Sequence, residues 1–228
     1  MVLPFPYRPY IAIIGDIKGS KHSRDRQAVQ ARLTKALDSI NQAHEKELAS
    51  RFMITLGDEF QGLLKDGSAA AAIIDCIERE MYPVRIRFGV GVGEITTDIR
   101  FDMPLGADGP AYHQARTMIE ELKASEKKKM ESRVNVKIGI REHAEVSDLL
   151  NAVFSLLTAL KEGWTARRVE IVNAYLNCGG TQEEAARVLG INQSNVQKAL
   201  ASAHFYAYQK ALESVARVLA GIGEERDV

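Results

Sequence analysis

The sequence predicts an α+β fold: a ferredoxin-like domain of βαββαβ order, followed by an all-helical C-terminal domain. Three observations carry that reading. Apolar runs rich in β-branched residues alternate with stretches of helical periodicity from Tyr10 to Ile140. Two of these runs, Phe52–Leu56 and Phe60–Leu64, flank Gly57-Asp58-Glu59, the pattern of a β-hairpin. From Trp164 onward the chain has helical spacing and no strand pattern.

Taken in order, Met1–Pro9 is a proline-punctuated lead-in, and Tyr10–Ile14 is a buried strand running into Asp16. Ser23 is placed to cap a helix reaching about Leu48, with Val29, Leu33, Leu37 and Ile40 on one face. After the hairpin, Ser68 is placed to cap a helix from Ala69 to about Glu80. Val84–Thr97 reads as a strand whose glycines, Gly89, Gly91 and Gly93, mark close approach of a ligand or another backbone. Pro110 opens a further helix to Lys123, carrying His113 and Arg116. Lys127, Lys128 and Lys129 form a solvated run, Val134–Ile140 an edge strand, and Glu145–Lys161 an amphipathic helix. The expected units are residues 1–142, a linking helix over 143–163, and a helical domain over 164–228. In the last, Thr181 and Glu184 have the spacing of a capping box.

Composition narrows the function classes. The 228 residues carry 30 Lys and Arg against 30 Asp and Glu, so bulk charge does not drive this chain onto nucleic acid or anionic membrane. No apolar run approaches a membrane span, and the N-terminus lacks the apolar core of a signal peptide. Cys76 and Cys178 lack metal-type spacing and read as buried free thiols, so a reducing cytoplasm is expected.

Chemistry is expected at the acidic residues. If the first strand and the hairpin lie side by side, Asp16 and Asp58 converge. Converging carboxylates repel unless a cation lies between them, and fixed hard oxygens suit Mg²⁺ or Mn²⁺. Gly15 would let the backbone come close to whatever Asp16 holds. Arg85 and Arg87 could be ion-pair partners at the sheet, and His113 reads as a helix-surface residue.

Several motifs then resemble a known family. Gly15-Asp-Ile-Lys-Gly-Ser20 resembles the Asp-Ile-x-Gly segment of class III nucleotide cyclases. Leu56-Gly-Asp-Glu-Phe60 resembles their Gly-Asp-x-Phe hairpin and the Gly-Gly-Asp-Glu-Phe hairpin of diguanylate cyclases. Arg87-Phe-Gly-Val-Gly-Val-Gly-Glu94 is similar to the cyclase strand Arg-x-Gly-Ile-x-x-Gly, and Gly109–Arg116 to the helix Gly-x-x-Val-Asn-x-Ala-Ala-Arg. The resemblance implies a cyclase-like palm, with Asp16, Asp58 and the Ile17 carbonyl as metal ligands. Gly15, Lys18, Gly19, Ser20, Gly57 and Glu59 would surround a nucleotide, and Arg116 would stabilise charge on a transferring phosphoryl group. The last motif is one residue short and has Tyr112-His113 in place of Val-Asn. Leu56 stands where diguanylate cyclases have a glycine.

Thr181–Leu200 resembles the helix-turn-helix of bacterial regulators. Ala185 lies at the helix crossing, Gly190 at the turn, and Ile191, Val196 and Leu200 on the inner face. Thr181, Gln182, Gln193, Ser194, Asn195, Gln197 and Lys198 would then face double-stranded DNA. Seven Lys and Arg balance seven Asp and Glu from Trp164 to Val228, so a DNA surface would need its cations gathered on one face of a homodimer.

A cyclase-like palm followed by this helical tail resembles the SatD family. Three readings stay open. The first is a DNA-binding regulator whose palm binds a nucleotide with Mg²⁺. The second is an active nucleotidyl cyclase or related phosphoryl-transfer enzyme with the tail as adaptor. The third is a metal-free palm that serves dimerisation.

Overall fold

The computed structural model describes residues 2–19, 25–126 and 134–224. Ser20, Ser23 and the Lys127–Lys129 run lie outside the described residues. The elements are β1 (Leu3–Phe5), β2 (Tyr10–Ile17), α1 (Arg26–Ala43), β3 (Leu48–Ile54), β4 (Glu59–Leu64), α2 (Ala70–Met81), β5 (Ile86–Gly93) and α3 (Pro110–Ser125). They continue with β6 (Val136–Ile140), α4 (Ala144–Glu162), α5 (Ala166–Asn177), α6 (Gln182–Leu189), α7 (Gln193–Ser202), α8 (Phe205–Leu219) and β7 (Ile222–Glu224).

The main sheet runs β3-β4-β2-β5-β6. β2 pairs antiparallel with both β4 and β5, β3 pairs antiparallel with β4, and β6 is added parallel to β5. The first four strands thus have the split-βαβ order read from the sequence, with one more strand at the edge. Alternation along β2 assigns the two faces. Ile11, Ile13 and Ile17 face the core with α1 and α2, while Ala12 and Ile14 face α3.

Three glycines let α3 rest on β5 backbone to backbone. A Cβ on Gly89 would lie 2.1 Å from the Ala115 carbonyl oxygen, and one on Gly91 2.1 Å from that of Ala111. One on Gly93 would lie 2.8 Å from the Ala111 nitrogen. The close approach that these glycines signal is therefore to a helix of the same chain.

Several boundaries differ from the sequence reading. The first helix ends at Ala43, because Leu48 already opens β3. Asn41 joins the two by accepting from Phe52 N at 2.6 Å and donating to Phe52 O at 2.8 Å. Asp25, immediately before the helix, supplies the α1 cap by accepting from Ala28 N. Ser68 caps nothing; its amide and hydroxyl are bound by Asp66. The capping box at Thr181 does not form either, since Glu184 pairs with Arg187. The proline-rich lead-in contains β1, which pairs in parallel with β7 and joins the two ends of the described chain. Both cysteines are free and half-buried.

The helices from α4 onward form a further layer, with α8 packed on α2 and α4. A buried charge cluster lies in that junction. Asp75 of α2 accepts from Arg79 at 2.8 Å, from Lys161 of α4 at 2.8 Å and from the Tyr208 hydroxyl of α8 at 2.6 Å. Lys161 also bonds Glu78 at 2.9 Å, and Arg79 reaches Asn173 of α5 at 2.8 Å. Burial alone would raise the Asp75 pKa. The Lys161 and Arg79 charges and the two hydrogen bonds outweigh it and hold the carboxyl well below its ordinary range.

Two expectations follow from this packing. Gly91→Ala should destabilise the fold by about 1–3 kcal/mol in urea denaturation, while Gly223→Ala, with open space around it, should change it by less than about 0.5 kcal/mol. Asp75→Asn should cost about 3 kcal/mol near neutral pH, because Lys161 and Arg79 lose their shared charge. A depressed folded pKa stabilises above the unfolded value and loses that stabilisation on acidification. The gap between wild type and Asp75→Asn should therefore narrow as the pH falls below 3.8.

Candidate functional site

β2, β4 and β5 bring a set of charges to one end of the sheet. Asp16 stands opposite Glu59 on one side and Arg87 on the other. On the face covered by α3, Arg87 donates to Asp16 at 2.6 Å and grips both oxygens of Glu126, at 3.1 and 2.5 Å. Lys123 lies 3.4 Å from the second Asp16 oxygen, and Arg116 lies 3.4 Å from Glu59. Arg87 is thus clamped between two carboxylates, and both Asp16 oxygens face a cation.

Around the same sheet end, toward α1, lies a cavity of about 290 Å³. Its walls include Ile17, Lys18 and Gly19 after β2, Arg26 and Val29 of α1, Asp58 at the hairpin tip, and Pro83–Arg85 before β5. Asp58 has one described cationic partner, Arg26, at 3.3 Å. Lys18 donates to Glu126 at 2.6 Å, to the Asn135 side chain at 2.8 Å and to the Val134 carbonyl at 3.3 Å. Burial, with Arg87 and Arg85 nearby, outweighs Glu126 and lowers the Lys18 pKa. Arg85 pairs with Glu162 at 3.3 Å, and its side chain is half-exposed.

Gly19 on the cavity wall and Gly57, next to Asp58, have distinct reasons. Gly57 adopts φ +64°, the left-handed conformation the hairpin tip needs, and its carbonyl accepts from Gln30 at 3.1 Å. Gly19 adopts φ +70° with nothing within 4 Å of a Cβ position, which leaves its backbone open to the cavity. Gly15 serves a different end from the one expected. The Phe60 ring fills its Cβ space, at 2.0 Å, so this glycine packs the hairpin against β2 and does not make room for phosphate.

Asp16 and Asp58 share a sheet end but turn to different partners, one to Arg87 and Lys123, the other to Arg26. Among the described residues no three His, Cys, Asp or Glu side chains gather as metal ligands. Asp58, weakly paired and on the cavity wall, fits one Mg²⁺ whose remaining ligands are phosphate oxygens and water. Asp16 does not fit a second ion. Freeing it means breaking the Arg87 clamp and placing a divalent charge beside a guanidinium that cannot deprotonate.

The other expected residues are placed as follows. Ile17 lines the cavity, and its amide donates to the Asp58 carbonyl at 3.3 Å. Glu59 is held by Arg116. His113 is exposed and 3.0 Å from Asp108. Tyr112 is buried on the α3 face of the sheet, and its hydroxyl has no partner; burial raises its pKa. Sequence reading missed Arg26, Lys123, Glu126 and Asn135. Arg87 was recoverable from β-register, since an arginine in a glycine strand opposite Asp16 has a carboxylate to meet.

In the tail, Gly190 takes φ +63° between α6 and α7, while Ala185, Val196 and Leu200 are buried between the helices. Thr181, Gln193, Ser194, Asn195, Gln197 and Lys198 are exposed and Gln182 is half-exposed. Gln193 donates to Gln182 at 2.7 Å, which joins the starts of α6 and α7. Trp164 anchors this layer by donating to the Ala203 carbonyl at 2.8 Å and packing on Tyr208.

No helix among the described residues is long and apolar enough to cross a membrane. A search of curated proteins returns no match. Among solved structures, the chain is similar to a guanylate cyclase domain from Catenaria anguillulae in complex with GTP, at 14% identity and TM-score 0.42 over 61% of this chain and 82% of that one. It is similar to the adenylyl cyclase CyaB from P. aeruginosa, at 16% identity and TM-score 0.40 over 62% and 81%. It is also similar to a bacterial light-regulated adenylyl cyclase, at 13% and 0.41 over 57% and 74%. These are partial likenesses. The model of the SatD family matches residues 10–219, from the start of β2 to the end of α8, and the chain belongs to that family.

Proposed function

We propose that the cavity beside Lys18 binds the phosphates of a nucleoside triphosphate with one Mg²⁺ or Mn²⁺. The palm, residues 1–142, then acts on that nucleotide by phosphoryl transfer, with the tail, residues 164–228, as adaptor. One observation carries the reading: three cations, Lys18, Arg26 and Arg85, and one weakly paired carboxylate, Asp58, surround a 290 Å³ cavity entered by an open glycine backbone. Cations and bare backbone amides suit phosphate oxygens, and a lone carboxylate suits the ion that accompanies them.

Each residue has a separate task. Gly19 lets the phosphate chain lie against the backbone. Arg26 exchanges Asp58 for phosphate, which frees Asp58 to hold the ion. Arg85 reaches in from the far wall. Bound there, the ion would neutralise charge between adjacent phosphates. Arg116, half-exposed on Glu59, is a cation of α3 that could meet charge developing on a transferred group. The motif resemblance at Leu56–Phe60 supports the place of the ion at Asp58, and that at Gly15–Ser20 supports the assignment through Lys18 and Gly19 alone.

Calorimetry with each nucleoside triphosphate and Mg²⁺ tests binding, and incubation with Mn²⁺ followed by mass spectrometry tests turnover. Arg26→Gln should weaken triphosphate binding about tenfold. Asp58→Asn should remove the dependence of binding on Mg²⁺, while Arg51→Gln, remote from the cavity, should change neither. Wild-type protein that binds no nucleoside triphosphate with either metal would end this reading.

A second reading has its own observation: a row of exposed amides, hydroxyls and Lys198 on α7, with the helix starts joined by Gln182 and Gln193. These side-chain types match base edges and phosphates, and a homodimer would present two such rows. Gel-shift titration at low salt checks it. Retention lost in Gln197→Ala and Lys198→Ala supports it, and migration unchanged on every fragment removes it.

A further inference from the structure

The cavity and the tail share a continuous chain of hydrogen bonds. Lys18 has three ammonium protons, and three acceptors take them: Glu126, Asn135 and the Val134 carbonyl. The Asn135 amide is used at both ends. Its oxygen accepts from Lys18 at 2.8 Å, and its nitrogen donates to Glu78 at 3.2 Å. Glu78 accepts from Lys161, Lys161 donates to Asp75, and Asp75 accepts from Tyr208 of α8. The path runs from the cavity wall through the start of β6 and α2 to α4 and the tail.

We propose that this path makes the tail a reader of the cavity. The inference rests on the phosphate reading above and adds its regulation. A phosphate that engages Lys18 needs a proton that is already committed, so one present acceptor must be released. Asn135 is the neutral side chain of the three and yields to an anion more readily than Glu126. A released Asn135 amide changes what Glu78 receives, and Glu78 shares Lys161 with Asp75. The charges at this junction are buried, where a lost partner is expensive, so the cluster adjusts by shifting α4 and α8 relative to α2.

Linkage makes the effect reciprocal: a change at Tyr208 must alter affinity in the cavity. Binding of Mg²⁺-triphosphate is measured by calorimetry in wild type, Tyr208→Phe, Asn135→Leu and the double variant. Tyr208→Phe should shift the dissociation constant about fivefold in the wild-type background and leave it unchanged in the Asn135→Leu background. A merely structural role for Tyr208 would give the same shift in both. Hydrogen exchange supplies an arm that needs no ligand. Lys18→Gln should speed amide exchange in α8, whereas Arg26→Gln, at the same cavity but off the path, should not. If triphosphate fails to bind, the phosphate reading falls and the exchange arm alone decides the coupling. Equal shifts in both backgrounds, or α8 exchange that is identical in wild type and Lys18→Gln, would overturn the proposal.

Discussion

An α-helix lying directly on the backbone of a strand is the constraint from which the sheet end is built. Gly89, Gly91 and Gly93 present no side chain of β5 to α3, so α3 sits low across the sheet. At that height its C-terminal half carries Lys123, and the residue that follows the helix, Glu126, over the end of β2, and its middle carries Arg116 to the hairpin. The carboxylate of Asp16 meets Lys123 of this helix and Arg87 of β5. Raising α3 by one methyl group would lift those cations off the site as well as strain the packing.

That pairing divides the labour between the two aspartates. Asp16 belongs to a lattice of charge in which Arg87 is fixed between two carboxylates. Asp58 lines the cavity with one described cationic partner, Arg26, which is half-exposed. The same sequence motif, an aspartate after a strand and another in a hairpin tip, therefore gives one carboxylate that meets two cations and one that meets a single described cation. The difference comes from Arg87, which β-register places opposite Asp16.

Much of this was legible in the chain. The hairpin around Gly57-Asp58, the glycine strand, the helix opened by Pro110 and the four tail helices all follow from local periodicity and turn chemistry. The errors share a cause: they depend on contacts distant in sequence. β1 exists because β7 pairs with it, although prolines dominate the lead-in. Ser68 and Thr181 have the chemistry of caps, but Asp66 claims the first, and Arg187 draws Glu184 away from the second. Gly15 read as a phosphate glycine, while only the fold shows the Phe60 ring in its place. Asn135 and Glu126 carry no motif, and the third dimension gives them their roles.

The C-terminal helices are tied to α2 by buried charge as well as by apolar contact. Asp75, Lys161 and Tyr208 come from three helices and satisfy one another with little water to substitute for any of them. An arrangement of this kind has few intermediate positions, which suits it to transmit an event at Lys18.

The most direct measurement is a crystal structure with Mg²⁺ and a non-hydrolysable nucleoside triphosphate. The account predicts phosphate density against Gly19, Lys18 and Arg26, with one ion on Asp58 and the Arg87–Asp16 pair intact. Phosphates bound elsewhere, or a metal ion on Asp16 with Arg87 displaced, would contradict it.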